Sequence, residues 1–403
     1  MAPMLRSITG IQEAKHADTT SDNGALIAVL GASCLTAMAA TAITPALPGM
    51  AHAFAGTPNA QFLVKIALTL PALIIALSAT IVGTMADRVG AGRVLIASVL
   101  LFAIAGSAGL YTPTLITLLI SRAVLGFAIA GMSTGALTLI GALYEGERRQ
   151  RVIGLQGTAA SFGGMACLLL GGLLAAYDWR LPFATYLLSI LLIPVMLACL
   201  PRGVLVASVN TCKTLEPTRW GHVAFAYCAA FLGMILFYVI PVQLPFHLRA
   251  HGVTDPTLTG YALSLCTFAG GLAAAFYSRL RQRMSPPMMV AIAFAMIAVG
   301  QTFVLSGSYA SALGGMVIAG CSTGILLPTV NGLVLTATPA PKHGRFAGGV
   351  AASLFLGQFL APVSAGIAER LAGSVFLGTA LGAAVVAVII AVGYVFNRRT
   401  VWR

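Results

Sequence analysis

The chain has 403 residues, 59% hydrophobic and only 8% charged, with a net charge of +13. A soluble domain carries roughly 25% charged residues, so this composition excludes a water-soluble globular domain and places the chain in lipid. Its basic residues flank apolar runs and do not gather into one patch, which sets aside nucleic acid as a partner.

Residues 1–23 are polar and lack the basic start, short apolar centre and cleavage site of a signal peptide. They are expected to be a disordered cytoplasmic tail. Twelve apolar runs follow, near 24–46, 61–83, 93–111, 114–141, 152–177, 181–200, 221–246, 257–279, 287–307, 309–337, 346–368 and 372–396. Each approaches or exceeds the ~20 residues that cross the hydrocarbon core as a helix. Backbone groups in lipid must be bonded within the segment, and the ~10-residue alternating strands of a barrel are absent. The expected fold is therefore an all-α membrane protein of twelve transmembrane helices. Residues 201–220, PRGVLVASVNTCKTLEPTRW, are the longest weakly hydrophobic break. As a cytoplasmic linker they divide two six-helix bundles, 24–200 and 221–397, and residues 398–403 form a short tail.

Charge sets the orientation. Of the 23 lysines and arginines, 18 fall at the two termini or in the loops on the same side as them. The positive-inside bias puts that side, with both termini, in the cytoplasm. Seven cysteines without a C-x-x-C motif, six of them inside apolar runs, give neither a disulfide framework nor a metal site. No cofactor is implied, and the absence of G-x4-G-K-S/T argues against ATP hydrolysis.

Between the second and third runs lies Gly83 to Leu95, GTMADRVGAGRVL, a short polar stretch with one carboxylate, Asp87, two arginines, Arg88 and Arg93, and the glycines Gly83, Gly90 and Gly92. It resembles the signature loop of the major facilitator superfamily, G-x-L-A-D-R-x-G-R-K/R-x-x-L. Gly83, Met85, Ala86, Asp87, Arg88, Gly90 and Leu95 are in register, while Ala91 and Gly92 depart and the basic charge falls on Arg93. The resemblance implies a cytoplasmic gate formed by Gly83, Asp87, Arg88, Gly90 and Arg93. A faint parallel repeat aligns Gly83–Gly90 with Ala274–Arg281, AAFYSRLR, where Ser278 stands in the place of Asp87.

Arg122 and Gly126 have the R-x-x-x-G spacing of the superfamily's fourth helix, which implies a role in coupling. An arginine within an apolar run faces the bundle or a wet cavity, or else snorkels from its end. The fifth run, GLQGTAASFGGMACLLLGG, resembles the antiporter motif in Gly154, Gly163, Gly171 and Gly172, with Cys167 and Leu168 replacing the central Gly-Pro; close helix packing is the alternative use of such glycines. Polar residues within spans are the cavity candidates: Thr36, Thr41, Thr44, Tyr238, Gln243, Gln301, Asn331 and Gln358. Each could instead bond a neighbouring helix. Lys65, about a turn inside the second run, either snorkels outward or holds an anionic substrate group. None of the ten acids lies deep within a span, so the embedded proton acceptor of many multidrug antiporters of the superfamily has no obvious counterpart.

The resemblance implies a secondary transporter of the bacterial inner membrane, not an enzyme, and a monomer. Its expected work is proton-linked efflux of a drug-like compound, metabolite or siderophore by alternating access. A facilitator or importer of a small polar solute is the alternative, with a membrane receptor or membrane enzyme more distant.

Overall fold

The computed structural model of the chain describes residues 24–39, 41–144, 146–199, 218–339 and 343–397. Among them there is no strand, and twelve helices are long and apolar enough to cross a membrane. They are α1 (Gly24–Ala53), α2 (Ala60–Val89), α3 (Ala91–Ser107), α4 (Leu115–Leu143), α5 (Gly146–Tyr177) and α6 (Leu181–Ala198). After these come α7 (Trp220–Ala250), α8 (Pro256–Ala275), α9 (Pro286–Leu305), α10 (Tyr309–Ala337), α11 (His343–Ala372) and α12 (Val375–Asn397). The tails expected at 1–23 and 398–403, and residues 201–217 of the linker, lie outside the described residues.

Within the first six helices α4 packs on α2 and α3, and α3 on α6; within the last six α10 packs on α8 and α9, and α11 on α7. The two sets meet along two seams, α2 against α11 and α5 against α8. Small residues let the backbones approach. A methyl group added at Gly126 would sit 2.6 Å from the Pro71 carbonyl oxygen, so α4 and α2 cross where neither has a side chain to spare. Large apolar side chains such as Leu77, Ile104, Ile120, Val388 and Ile389 are more than half exposed on the outer faces. Such a surface suits acyl chains, since lipid tails are as apolar as the residues themselves.

Two elements differ from the sequence expectation. The stretch from Gly83 is helix, not loop: α2 continues through Asp87 and Arg88 to Val89, and α3 starts at Ala91. Gly90 alone makes the turn, at φ 100° and ψ 134°, with its N–H donating to Ala86 O at 3.0 Å. A Cβ is strained there by about 1–3 kcal/mol. Gly90→Ala is therefore expected to lower the thermal midpoint measurably. Gly83→Ala, in a helix with nothing within 4 Å of the added carbon, should leave it unchanged or raise it. Equal midpoints for the two variants would contradict the turn assignment.

The second difference is α6, whose residues Leu181–Leu191 wind as a 3-10 helix. Thr185 and Ser189 hydroxyls donate to the carbonyls three residues back, Pro182 and Tyr186, at 2.6 and 2.8 Å. A 3-10 helix rises ~2.0 Å per residue against ~1.5 Å for an α-helix. That extra rise lets a short segment span roughly 30 Å of hydrocarbon.

Candidate functional site

Arg122 is wholly buried and does not snorkel. Its Nη2 donates to the carbonyls of Ala105 and Gly106 at 2.8 Å each, and its Nη1 to the Tyr186 hydroxyl at 3.3 Å. Tyr186 in turn donates to Ala39 O at 2.6 Å. Ala105 and Gly106 belong to the last turn of α3, where carbonyls lack partners along the helix and carry the negative end of its dipole. Arg122 thus caps α3 from α4, and through Tyr186 it ties α3, α6 and α1 together. The Phe183 and Tyr186 rings, each 5.2 Å from the guanidinium carbon, complete its surroundings. Arg180 repeats the device nearer the surface, donating at 3.2 Å to Gly109, Leu110 and Thr112 carbonyls.

Gln301 does the corresponding work in the last six helices. Its Nε2 donates to Leu236 O of α7 at 2.7 Å, and its Oε1 accepts from the Thr379 hydroxyl of α12 at 2.6 Å. It is buried among α7, α9 and α12, and lines none of the cavities described below. Asn331 is exposed, its amide donating to Leu327 O within α10. Thr41 bonds back to Ala37 and lies beside Gly164 of α5.

The glycines of α5 divide. Gly163 lies against Cys34, and Gly171 against the Ala42 carbonyl of α1. Gly172 faces α8, 3.1 Å from the Pro256 carbonyl for an added Cβ, and Gly260 of α8 faces the Leu168 carbonyl at 2.7 Å. Ser264 of α8 donates to Met165 O of α5 at 3.3 Å. Towards the end that carries Gly90 and most arginines, called the basic end below, the seam parts. Gly154 and Gly157 meet nothing within 4 Å, and a cavity of about 570 Å³ lies between them and Thr267, Phe268 and Gly271.

A smaller cavity of about 190 Å³ lies midway along the bundle, walled by Thr36 of α1, Pro71 of α2, Ile129 and Ser133 of α4, and Phe355 and Gln358 of α11. It spans the α2–α11 seam. Gln358 faces the hydroxyl of Tyr238 from α7. Mostly apolar walls with a few convergent polar groups are what a small-molecule site requires. Thr36 and Gln358 thus come together here, Gln358 backed by Tyr238, with Ser133, which gave no sign in the sequence.

At the end opposite the basic one, Lys65 of α2 shares a cavity of about 440 Å³ with Gln243, His247 and His251 of α7 and Glu369 of α11. The Lys65 ammonium lies 4.9 Å from the Phe246 ring centroid. His247 and His251, one turn apart, have ring centroids 4.2 Å apart, and His247 bonds the Val304 carbonyl at 2.9 Å. The H-x-x-x-H spacing of this pair, a signal that the reading of the sequence passed over, puts both rings on one helix face. Their meeting with a lysine and a glutamate from other helices had no such signal. Among the described residues no group of His, Cys, Asp and Glu could hold a metal ion.

Residues 29–362 match the sequence model of the Major Facilitator Superfamily. The tetracycline resistance protein, class C, of Escherichia coli is 34% identical over 163 residues, 40% of each chain. An uncharacterised MFS-type transporter of Mycobacterium tuberculosis is 26% identical over 211 residues, 49% of this chain and 30% of that protein. The matches therefore span well under half of these curated relatives. Solved structures share the fold along nearly the whole chain. A bacterial homologue of the human lysosomal transporter Spinster, inward-facing, has TM-score 0.72 at 18% identity, covering 94% of this chain and 98% of that one. The peptide transporter POT in complex with sulfate has TM-score 0.75 at 13% identity, covering 94% and 96%.

Proposed function

This chain belongs to the Major Facilitator Superfamily, and on that premise we propose that it is a monomeric secondary transporter of the bacterial cytoplasmic membrane, exporting a small molecule in exchange for protons. The observation that carries this reading is the α5–α8 seam, shut backbone to backbone at one end and parted at the other. The positive-inside bias supports a cytoplasmic basic end and cytoplasmic termini. A seam shut outside and open inside is one of the two states that rocking of two repeats about a central site requires. The substrate, a drug-like compound, metabolite or siderophore, would lodge among Thr36, Ser133 and Gln358. The partial likeness to a tetracycline resistance protein supports the outward direction.

Flux in proteoliposomes with and without a pH gradient, at zero membrane potential, tests this. Accumulation that follows the gradient supports the exchange. Accumulation that ignores it removes protons from the reading. Equilibration without accumulation under any ion gradient favours a second reading, a facilitator, which the lack of an acid deep within any span supports.

Gly83, Asp87, Arg88, Gly90 and Arg93 would form the latch that shuts the basic end when the cavity faces outward. Asp87 occupies the last turn of α2, the wrong end of that helix for a negative charge, one turn before the start of α3. Its use is then with cations or the α3 N-terminus. Asp87→Asn is expected to cut transport at least about tenfold, the effect of losing one charge-assisted bond of ~1.5–3 kcal/mol, with membrane insertion unchanged. A wild-type rate in the variant would remove the latch.

A further inference from the structure

Beyond α8 a short helix, Tyr277–Arg283, carries Arg279, Arg281 and Arg283. This is the second-half copy of the signature stretch, in which Ser278 replaces the acid. From Thr218 to Arg403 the sequence holds only two acids, Asp255 and Glu369. Asp255 caps the start of α8 and Glu369 lies near the end of α11, so both sit at the end opposite the three arginines. All three arginines are exposed, and among the described residues no ion pair joins them.

Beneath this helix is a groove of about 630 Å³ whose polar rim is Arg279, Gln282 and Arg283 and whose apolar floor includes Phe276, Leu280 and Ile325. It opens sideways. Leu272 and Phe276, one turn apart at the end of α8, are 53% and 50% exposed, Phe276 in the groove and Leu272 at the edge shared with the α5–α8 cavity. Val317 and Leu335 of α10, exposed by 38% and 46%, share a face with Cys321, which borders the groove. An apolar exposed face on a membrane helix meets acyl chains, and a basic rim at its end stands at headgroup depth.

We propose that this groove holds an anionic glycerophospholipid of the cytoplasmic leaflet, its phosphate between Arg279 and Arg283 and its acyl chains along Phe276 and Leu272. Two cations with no ion pair among the described residues give the charge complementarity, and guanidinium groups match phosphate oxygens in pairs. The floor accepts hydrocarbon, so a lipid satisfies both halves of the groove where a free anion satisfies one. The inference needs the basic end at the cytoplasmic leaflet. It is independent of what is transported and in which direction. Because α8 also walls the α5–α8 seam, lipid here would bear on how that seam opens.

Native mass spectrometry of the full chain released from detergent, with added phosphatidylglycerol or phosphatidylcholine, tests the site. Wild-type protein is expected to retain phosphatidylglycerol in preference to phosphatidylcholine. Arg279→Gln with Arg283→Gln should weaken phosphatidylglycerol retention roughly thirtyfold, about fivefold per arginine, and leave phosphatidylcholine unchanged. Arg279→Lys with Arg283→Lys, keeping charge, should recover most of it, and Arg249→Gln, at the opposite end, should have no effect. An unchanged thermal midpoint separates lost binding from lost folding; if the glutamine pair unfolds, the lysine pair and Arg249→Gln decide alone. Equal retention of the two lipids by wild-type protein would overturn the proposal, as would loss equal to that of Arg249→Gln. Displacement by inorganic phosphate at equal concentration would also overturn it, assigning the groove to a free anion.

Discussion

Arg122→Met is expected to lower stability by about 3 kcal/mol or more and to abolish transport, with Arg122→Lys falling between it and the wild type. Two opposing effects meet at this residue. Methionine relieves a buried guanidinium of its desolvation cost, which alone would stabilise. It also orphans the Ala105 and Gly106 carbonyls, at roughly 1–3 kcal/mol for each buried group, while the Tyr186 hydroxyl loses one bond and keeps that to Ala39 O. The second effect wins because of the reference state. When the helices of a membrane protein separate they remain in lipid, where an arginine on α4 is already without water. Its desolvation is therefore a cost of insertion, and packing recovers part of it through the end of α3. Lysine keeps the charge at the helix end but lacks the fork that reaches two carbonyls and a hydroxyl. Thermal unfolding in detergent checks the ranking. If Arg122→Lys recovers the midpoint but its flux no longer responds to a pH gradient, Arg122 serves coupling as well as capping. If midpoint and flux recover together, capping accounts for both. A methionine variant as stable as the wild type would contradict the capping role.

Charge reversal at Lys65 is expected to shift the balance between the two ends of the transporter about tenfold. Lys65 and Glu369 come from different six-helix sets and share one cavity at the end where the α5–α8 seam is shut. Lys65→Glu sets two carboxylates across it and removes the cation from the face of Phe246, favouring separation. Glu369→Lys should act the same way with two ammonium groups. The double reversal restores opposite charges and should recover most of the loss. A coupling energy of about 1–2 kcal/mol is typical for residues that share a contact network. Labelling of a cysteine placed in the cavity that holds Lys65 reads the balance directly. Additive effects of the two reversals would show that Lys65 and Glu369 act separately, returning Lys65 to the snorkelling or substrate-binding roles that its position in α2 also allows.

The number of helices, their membrane-spanning character and their expected polarity follow from the chain itself. Apolar length and the asymmetry of arginine are local properties, counted residue by residue, and no tertiary contact is needed to read them. The signature stretch was equally plain as a pattern, yet its conformation was not. Three glycines and three charges suggest a loop, while the chain stays helical through all of it but Gly90. The roles of polar residues inside spans were beyond the sequence for a different reason. Arg122, Gln301, Gln358 and Lys65 all look alike in an apolar run, because each is defined by its partner and every partner lies on another helix. Helix packing decided that Arg122 meets the unsatisfied end of α3 and that Gln301 joins α7 to α12. It brought Gln358 to a cavity wall and set Lys65 opposite Glu369, some three hundred residues away in the chain. In lipid a polar group finds its partner across a helix interface, so only the arrangement of helices says which partner that is.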